Sequence, residues 1–172
     1  MALRNIVQDG DPILKKVCRP VTKFDDRLGT LLDDMKETLI KAGGLGLAGP
    51  QVGMMRRLFI CEDLRRLPDL ENVPADYQPT FIEFINPEIL ELSEDKVELY
   101  EGCLSYPGHN AYIPRSRKVK VRAFDRNGEP FELEAEEMLA RCIQHENNHL
   151  DGITIMELAE HFYEDLEEDE EE

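Results

Sequence analysis

The sequence predicts an α+β domain in which antiparallel or mixed β-sheets pack around a central metal-binding helix, with a further helix near the N-terminus. Three observations carry this. Apolar residues recur at a helical period between Asp25 and Ala42, strand-like segments fill the middle of the chain, and a second helical period from Glu136 to Leu150 holds two histidines four apart. With 172 residues, 41% of them apolar, the chain can bury a core without disulfides, and nothing requires a second domain.

In the first helix Leu28, Leu31, Leu32, Met35 and Leu39 share one face, and Gly43-Gly44 stop it. "RLFICE" (Arg57 to Glu62) and "PTFIEFI" (Pro79 to Ile85) are rich in β-branched and aromatic residues and read as strands, the second ending at Asn86-Pro87. The polar stretch from Pro68 to Pro79 is the loop between them. "VELY" (Val97 to Tyr100) is strand-like too. "VKVRAFD" and "PFELEA" flank Arg126-Asn127-Gly128, whose Asn-Gly pair suits a tight hairpin. Leu139, Cys142, Ile143 and Leu150 then seat the last helix on the sheet, and Asp151-Gly152 terminate it. The domain is expected to span residues 1–162, followed by a flexible acidic tail over 163–172, because "YEDLEEDEEE" holds eight acids and no base.

The formal charge of -17 argues against a DNA-binding or other nucleic-acid surface, which needs a basic patch. No run approaches the roughly 18 apolar residues of a membrane span, and no apolar stretch near the N-terminus reads as a signal peptide. Cys18, Cys61, Cys103 and Cys142 are scattered without the spacing of a disulfide framework. A cytoplasmic protein whose thiols stay free to bind metal is the expectation.

The chemistry centres on "CIQHENNHLDG", which contains His145-Glu146-x-x-His149. Residues four apart lie one above the other on a helix, so both imidazoles can reach one cation, and Glu146 can address the water that the cation activates. By itself so short a pattern is as readily a solvated helix face; the third ligand decides. Cys142 lies seven residues from His149, about 10.5 Å along the axis at 1.5 Å per residue, too far to share a cation with it, and reads as a small apolar residue on the metal face. Ile155 stands where a metzincin would place a third histidine. A zinc peptidase with a downstream glutamate could use Glu160, Glu164 or Glu167, although carboxylates are dense there. His109 and His161 read as ordinary surface or core histidines. Cys103 in "EGCLSYPG", after a strand-like segment and beside Gly102, is the remaining candidate.

Taken in order, "GLGLAGPQVG" (Gly44 to Gly53), "EGCLS" (Glu101 to Ser105) and "QHENNHLDG" (Gln144 to Gly152) resemble the peptide deformylases. The similarity extends through "IVQDGDPIL" and "IPRSRKVKVRAFDRNGEPFELEA", covering most of residues 4–158. The resemblance implies metal ligands Cys103, His145 and His149 for one divalent ion, Fe2+ as the native metal with Zn2+, Ni2+ or Co2+ able to replace it. It implies Glu146 as general base and acid, and an oxyanion site built from the Gln51 amide and the backbone N–H of Leu104. The implied substrate is the formyl-methionyl end of a nascent polypeptide, met transiently at the ribosome. An apolar slot for the methionine side chain would be bounded by Gly46, Met138 and Cys142.

The chain departs from the family pattern in three places. Gly49 replaces a usual alanine and is expected to loosen the loop carrying Gln51. Asn148 replaces a usual aspartate, so Arg115 is expected to need another partner such as Glu101. The C-terminus is acidic where bacterial members often carry a basic helix.

Overall fold

The computed structural model describes residues 2–67 and 69–170. Helix α1 (Asp26–Ala42) begins where the Asp25 carboxylate accepts the Leu28 N–H at 3.1 Å, and ends at Gly43, whose φ of 75° only glycine adopts without strain. Strands β1 (Gly46–Ala48), β2 (Leu58–Glu62) and β3 (Phe81–Leu92) follow, then β4 (Lys96–Glu101), β5 (Ala111–Ser116), β6 (Lys118–Phe124) and β7 (Pro130–Glu136). Helix α2 (Glu137–Leu150), a short α3 (Ile155–Leu158), β8 (His161–Phe162) and α4 (Tyr163–Glu170) complete the described chain.

The strands form a five-stranded sheet in the order β1-β2-β3-β6-β7 and a three-stranded sheet in the order β4-β5-β8. Every pairing between these strands is antiparallel, which removes the mixed sheet from the range of expected folds. Helix α2 packs on strands of both sheets. Alternation along β2 explains how the larger sheet serves two layers: Leu58 and Ile60 join α1's Leu32, Met35 and Leu39, while Phe59 and Cys61 join α2's Leu139, Cys142 and Ile143.

The strand expected to end at Asn86-Pro87 does not stop there but continues as β3 to Leu92. Asn86 takes a φ of 49° at a bulge, and its side chain accepts the Val21 N–H at 2.8 Å and donates to the Val21 carbonyl at 2.9 Å, so β3 bends and continues. Pro87 sits at the bulge, where a missing N–H costs least. The β6–β7 connection is longer than a two-residue turn: Phe124 pairs with Pro130, and the Asp125 carboxylate accepts the N–H groups of Asn127 and Glu129 at 2.8 and 3.0 Å. Between β2 and β3 the described residues from Asp69 to Pro79 form no helix or strand, as expected, while Pro68 lies outside the described residues.

The acidic stretch read as a flexible tail is helical over Tyr163–Glu170, and its start is anchored. The Glu164 carboxylate accepts the Asn110 N–H at 3.1 Å and lies 2.8 Å from Nδ1 of His109, while the Tyr163 N–H donates to the Asn110 carbonyl at 2.9 Å. Two local partners thus offset the repulsion that composition alone predicts.

Candidate metal centre

Three segments distant in sequence meet at the site. The strand β1 and the 3-10 turn Gly49–Val52 bring Gln51 in, the turn after β4 brings Cys103, and α2 brings His145, Glu146 and His149. The N-terminal segment fastens two of these together: the Val7 N–H donates to the Gln51 carbonyl at 2.7 Å and the Asp9 N–H to the Ser105 carbonyl at 2.9 Å. That is the structural task of the stretch beginning at Ile6.

Cys103, His145 and His149 place one donor atom each within 4.8 Å of one another. The Cys103 Sγ lies 3.4 Å from Nε2 of His149. A tetrahedral ion with bonds of about 2.0–2.3 Å needs its donors roughly 3.5 Å apart, so the set fits a zinc- or iron-sized cation with little movement. One thiol and two imidazoles are also the donor chemistry such ions prefer. Burial pushes His149 well below the ordinary histidine range and so favours the neutral donor form. For His145 burial acts in the same sense, but hydrogen bonding to Cys103 and Glu101 outweighs it and draws a proton toward the ring. A cation among these donors would answer the same demand for positive charge.

Glu101 orients His145. Its Oε1 lies 3.1 Å from Nδ1, leaving the other ring nitrogen for the cluster. Glu101 is buried and would be raised by burial alone, yet hydrogen bonds from His145 and Arg115 hold it well below the usual carboxylate range. Arg115 binds Glu101 closely and also donates to Oδ1 of Asn148 at 2.6 Å. The expected partner is therefore present, and Asn148 keeps its hydrogen bond to Arg115 while supplying no charge.

Glu146 is buried, and its Oε2 has no hydrogen-bond partner among the described residues. Burial pushes this carboxyl up to about 7, with His145 pulling it down and Glu101 adding to the rise. Gly46 lies beneath it, where a Cβ would stand 2.7 Å from both Glu146 Oε1 and Cys142 Sγ, so only glycine lets β1 approach the helix this closely. Gln51 is buried with its orientation fixed, because Oε1 accepts the Ala48 N–H at 2.9 Å. Its Nε2 accordingly faces the Ser105 Oγ at 3.2 Å and the Cys103 Sγ at 3.6 Å. Gly49 does not loosen this turn: a Cβ there would meet the carbonyl oxygens of Met54 and Arg56 at 2.8 Å, and the Met54 N–H donates to the Gly49 carbonyl at 2.9 Å.

Beside the donors opens a cavity of about 480 Å³ lined by Gly46, Gln51, Leu104, Met138, Cys142 and Glu146, among others. Cys142 stays outside the donor cluster, with its Sγ 3.0 Å from Cys61 Sγ and 3.5 Å from the Leu45 carbonyl. No glutamate from the C-terminal segment joins the cluster among the described residues, and Glu164 is held by His109 instead. His161 pairs with the Tyr100 hydroxyl at 2.8 Å.

The profile of the family described as polypeptide deformylase matches residues 3–164. The chain belongs to the peptide deformylase family. It is 49% identical over 152 residues to a peptide deformylase of Clostridium botulinum, covering 88% of this chain and 93% of that one. It is 39% identical over 167 residues to one from Natranaerobius thermophilus, covering 97% and 99%. The crystal structure of the Thermotoga maritima peptide deformylase superposes with a TM-score of 0.82 at 37% identity, covering 94% of this chain and all of that one. Family membership makes the chain a metal-dependent hydrolase of N-terminal formyl groups on nascent polypeptides, and the peptidase alternative falls. No helix among the described residues is long and apolar enough to cross a membrane.

Ser105, which faces the Gln51 amide, and Arg141, which borders the cavity, are not singled out by the sequence. Ser105 gave no signal beyond its place in a motif. Arg141 did: it stands four residues before His145 and so shares its helix face.

Proposed function

We propose that Cys103, His145 and His149 hold one divalent cation, Fe2+ in the native protein, and that Glu146, Gln51 and Leu104 carry out deformylation beside it. The bound cation would polarise the formyl carbonyl and acidify water. Glu146 takes a proton from the attacking water as its oxygen bonds to the formyl carbon. The same carboxyl then returns the proton to the departing nitrogen as the C–N bond breaks, giving formate and a free amino terminus. A carboxyl raised to about 7 is suited to both halves of this exchange. The oxyanion that forms on the carbonyl oxygen accepts from Gln51 Nε2 and the Leu104 N–H. The fixed Gln51 amide supports this role, as does a Leu104 N–H that has no backbone acceptor among the described residues.

The methionine side chain of the formyl-methionyl terminus occupies the cavity against Gly46, Met138 and Cys142, where apolar atoms dominate the wall. Residues 1–162 form the catalytic domain in this reading, with 163–172 an acidic appendage, and the protein acts in the cytoplasm on chains leaving the ribosome, which it meets transiently. The observation that carries the reading is the convergence of three donors beside an unpartnered buried carboxylate oxygen. Formate release from formyl-Met peptides is the test. Rapid release, with acetyl-Met peptides and internal peptide bonds left intact, is expected; cleavage of internal bonds at a comparable rate would overturn it.

A further inference from the structure

Glu101 has four lone-pair positions and three side chains, Arg115, Arg141 and His145, competing for them in a largely buried setting. Arg115 approaches Oε1 and Oε2 through Nε, each at 3.2 Å, and makes a closer contact to Oε1 through Nη2. Arg141 Nη1 donates to Oε2 at 2.9 Å, on the side of the carboxylate away from the His145 contact to Oε1. The side chains of Glu101, Arg115 and Arg141 are each at most 8% exposed. Arg141 is itself held rigidly, Nη1 donating to the Ile113 carbonyl and Nη2 to the Val97 carbonyl at 2.9 and 2.6 Å. It therefore ties β4, β5 and α2 together at the residue that orients a donor histidine.

We propose that Arg141 is a positioning residue for the metal centre: by occupying Oε2 of Glu101 it fixes the carboxylate so that Oε1 meets His145 Nδ1 and the other ring nitrogen points at Cys103 and His149. Arg115 does not do this alone, because two of its three contacts fall on Oε1, the oxygen that His145 also uses, and Oε2 receives only its Nε at 3.2 Å. Nor does Asn148 help, since it takes one Arg115 N–H but brings no charge to counter the pull of Arg115 on Glu101. With Arg141 absent, Oε2 would lose a buried charged partner, and the carboxylate would be drawn toward Arg115 and away from His145. Outer partners of this kind typically set metal affinity within a range of about 10- to 100-fold.

This inference rests on the reading that His145 is a metal ligand, and the test separates the two. Zinc affinity is measured by chelator competition on the full chain for the wild type, Arg141→Met, Arg141→Lys, Glu101→Gln and the Arg141→Met/Glu101→Gln double variant. The visible spectrum of each cobalt-loaded form reports ligand geometry. Arg141→Met should weaken zinc binding about 10-fold or more and alter the cobalt spectrum. Arg141→Lys, which still offers an N–H to Oε2, should recover most of both. In the double variant the Arg141→Met loss should largely vanish, since Arg141 acts through Glu101. If the losses add, or if Arg141→Met changes only the unfolding midpoint, Arg141 is merely a staple for the Val97 and Ile113 carbonyls and the inference fails. His145→Ala serves as the control: should it keep full zinc affinity, the ligand assignment itself is wrong, whatever Arg141 does.

Discussion

At the scale of single residues, each side chain around the donors is asked for one property, and conservative replacements separate those properties. Glu146→Gln keeps the shape and removes the proton shuttle, so metal content should stay near one ion per chain while formate release falls by roughly 100-fold or more. A variant that keeps most of its activity would mean that some other group moves the proton. Cys103→Ala and His149→Ala should instead lose the metal, read directly by metal analysis after desalting. Gln51→Leu removes an N–H donor whose orientation the Ala48 N–H fixes. It should slow turnover about 100-fold with the metal retained; an unchanged rate would take Gln51 out of the oxyanion site.

At the scale of elements, the bulge in β3 fastens the larger sheet to the N-terminal segment, while the start of α4 holds residues that border the cavity. Asn86 joins β3 to the segment at Val21 with two hydrogen bonds and tolerates a positive φ better than most residues. Asn86→Ala should therefore cost about 2 kcal/mol of stability in urea unfolding, while activity per folded molecule stays the same. Loss of turnover without loss of stability would show that the bend is felt at the metal. The α4 helix predicts a contrast between two truncations. Removing residues 166–172 leaves Glu164 on His109 and Asn110 and should not change formate release from short peptides. Removal from Tyr163 onward also frees the His109–Asn110 turn, which lines the cavity. It should raise KM severalfold while the metal stays bound. Equal behaviour of the two truncations would dissociate α4 from the cavity.

At the scale of the whole molecule, a part-buried network of charges joins elements that lie far apart in the sequence. Glu83 on β3 accepts from Lys36 of α1 at 2.8 Å and from Arg126 of the β6–β7 turn at 3.0 Å, and Arg126 also reaches Asp33 of α1 at 2.8 Å. Burial alone would raise Glu83, but these partners hold it below its ordinary value of 4.5. A carboxyl lowered in the folded state contributes stability that is fully present above the unfolded value and is lost as pH falls through the folded one. Unfolding midpoints in urea should therefore drop as pH falls below the ordinary value of 4.5, and Glu83→Gln should flatten that limb. The same acid dependence in the variant would assign the loss to other carboxylates. Chelation should also lower the thermal midpoint, and added zinc should restore it, because a ligand that binds only the folded chain stabilises it.

Much of this protein is written locally. The period of α1, its Gly43 stop, the alternation in β2 and the His145–His149 spacing are properties of neighbouring residues, so the sequence determines them directly. Together with the resemblance in three motifs, they point to the proposed donors and to the reaction of the family. What only the tertiary structure decided depends on partners far away along the chain. β1, β5 and β8 are too short, or too interrupted by Pro114, to announce themselves, and they exist because β2, β4 and β5 in turn offer them open edges. β3 runs through Asn86-Pro87 because Val21 waits there. β7 passes into α2 without a loop, at a Glu137 φ of 56° that the Arg117 carbonyl helps to hold. Glu101, Arg115 and Arg141 lie in different elements, and only their shared burial makes one carboxylate answer to two guanidiniums and a histidine.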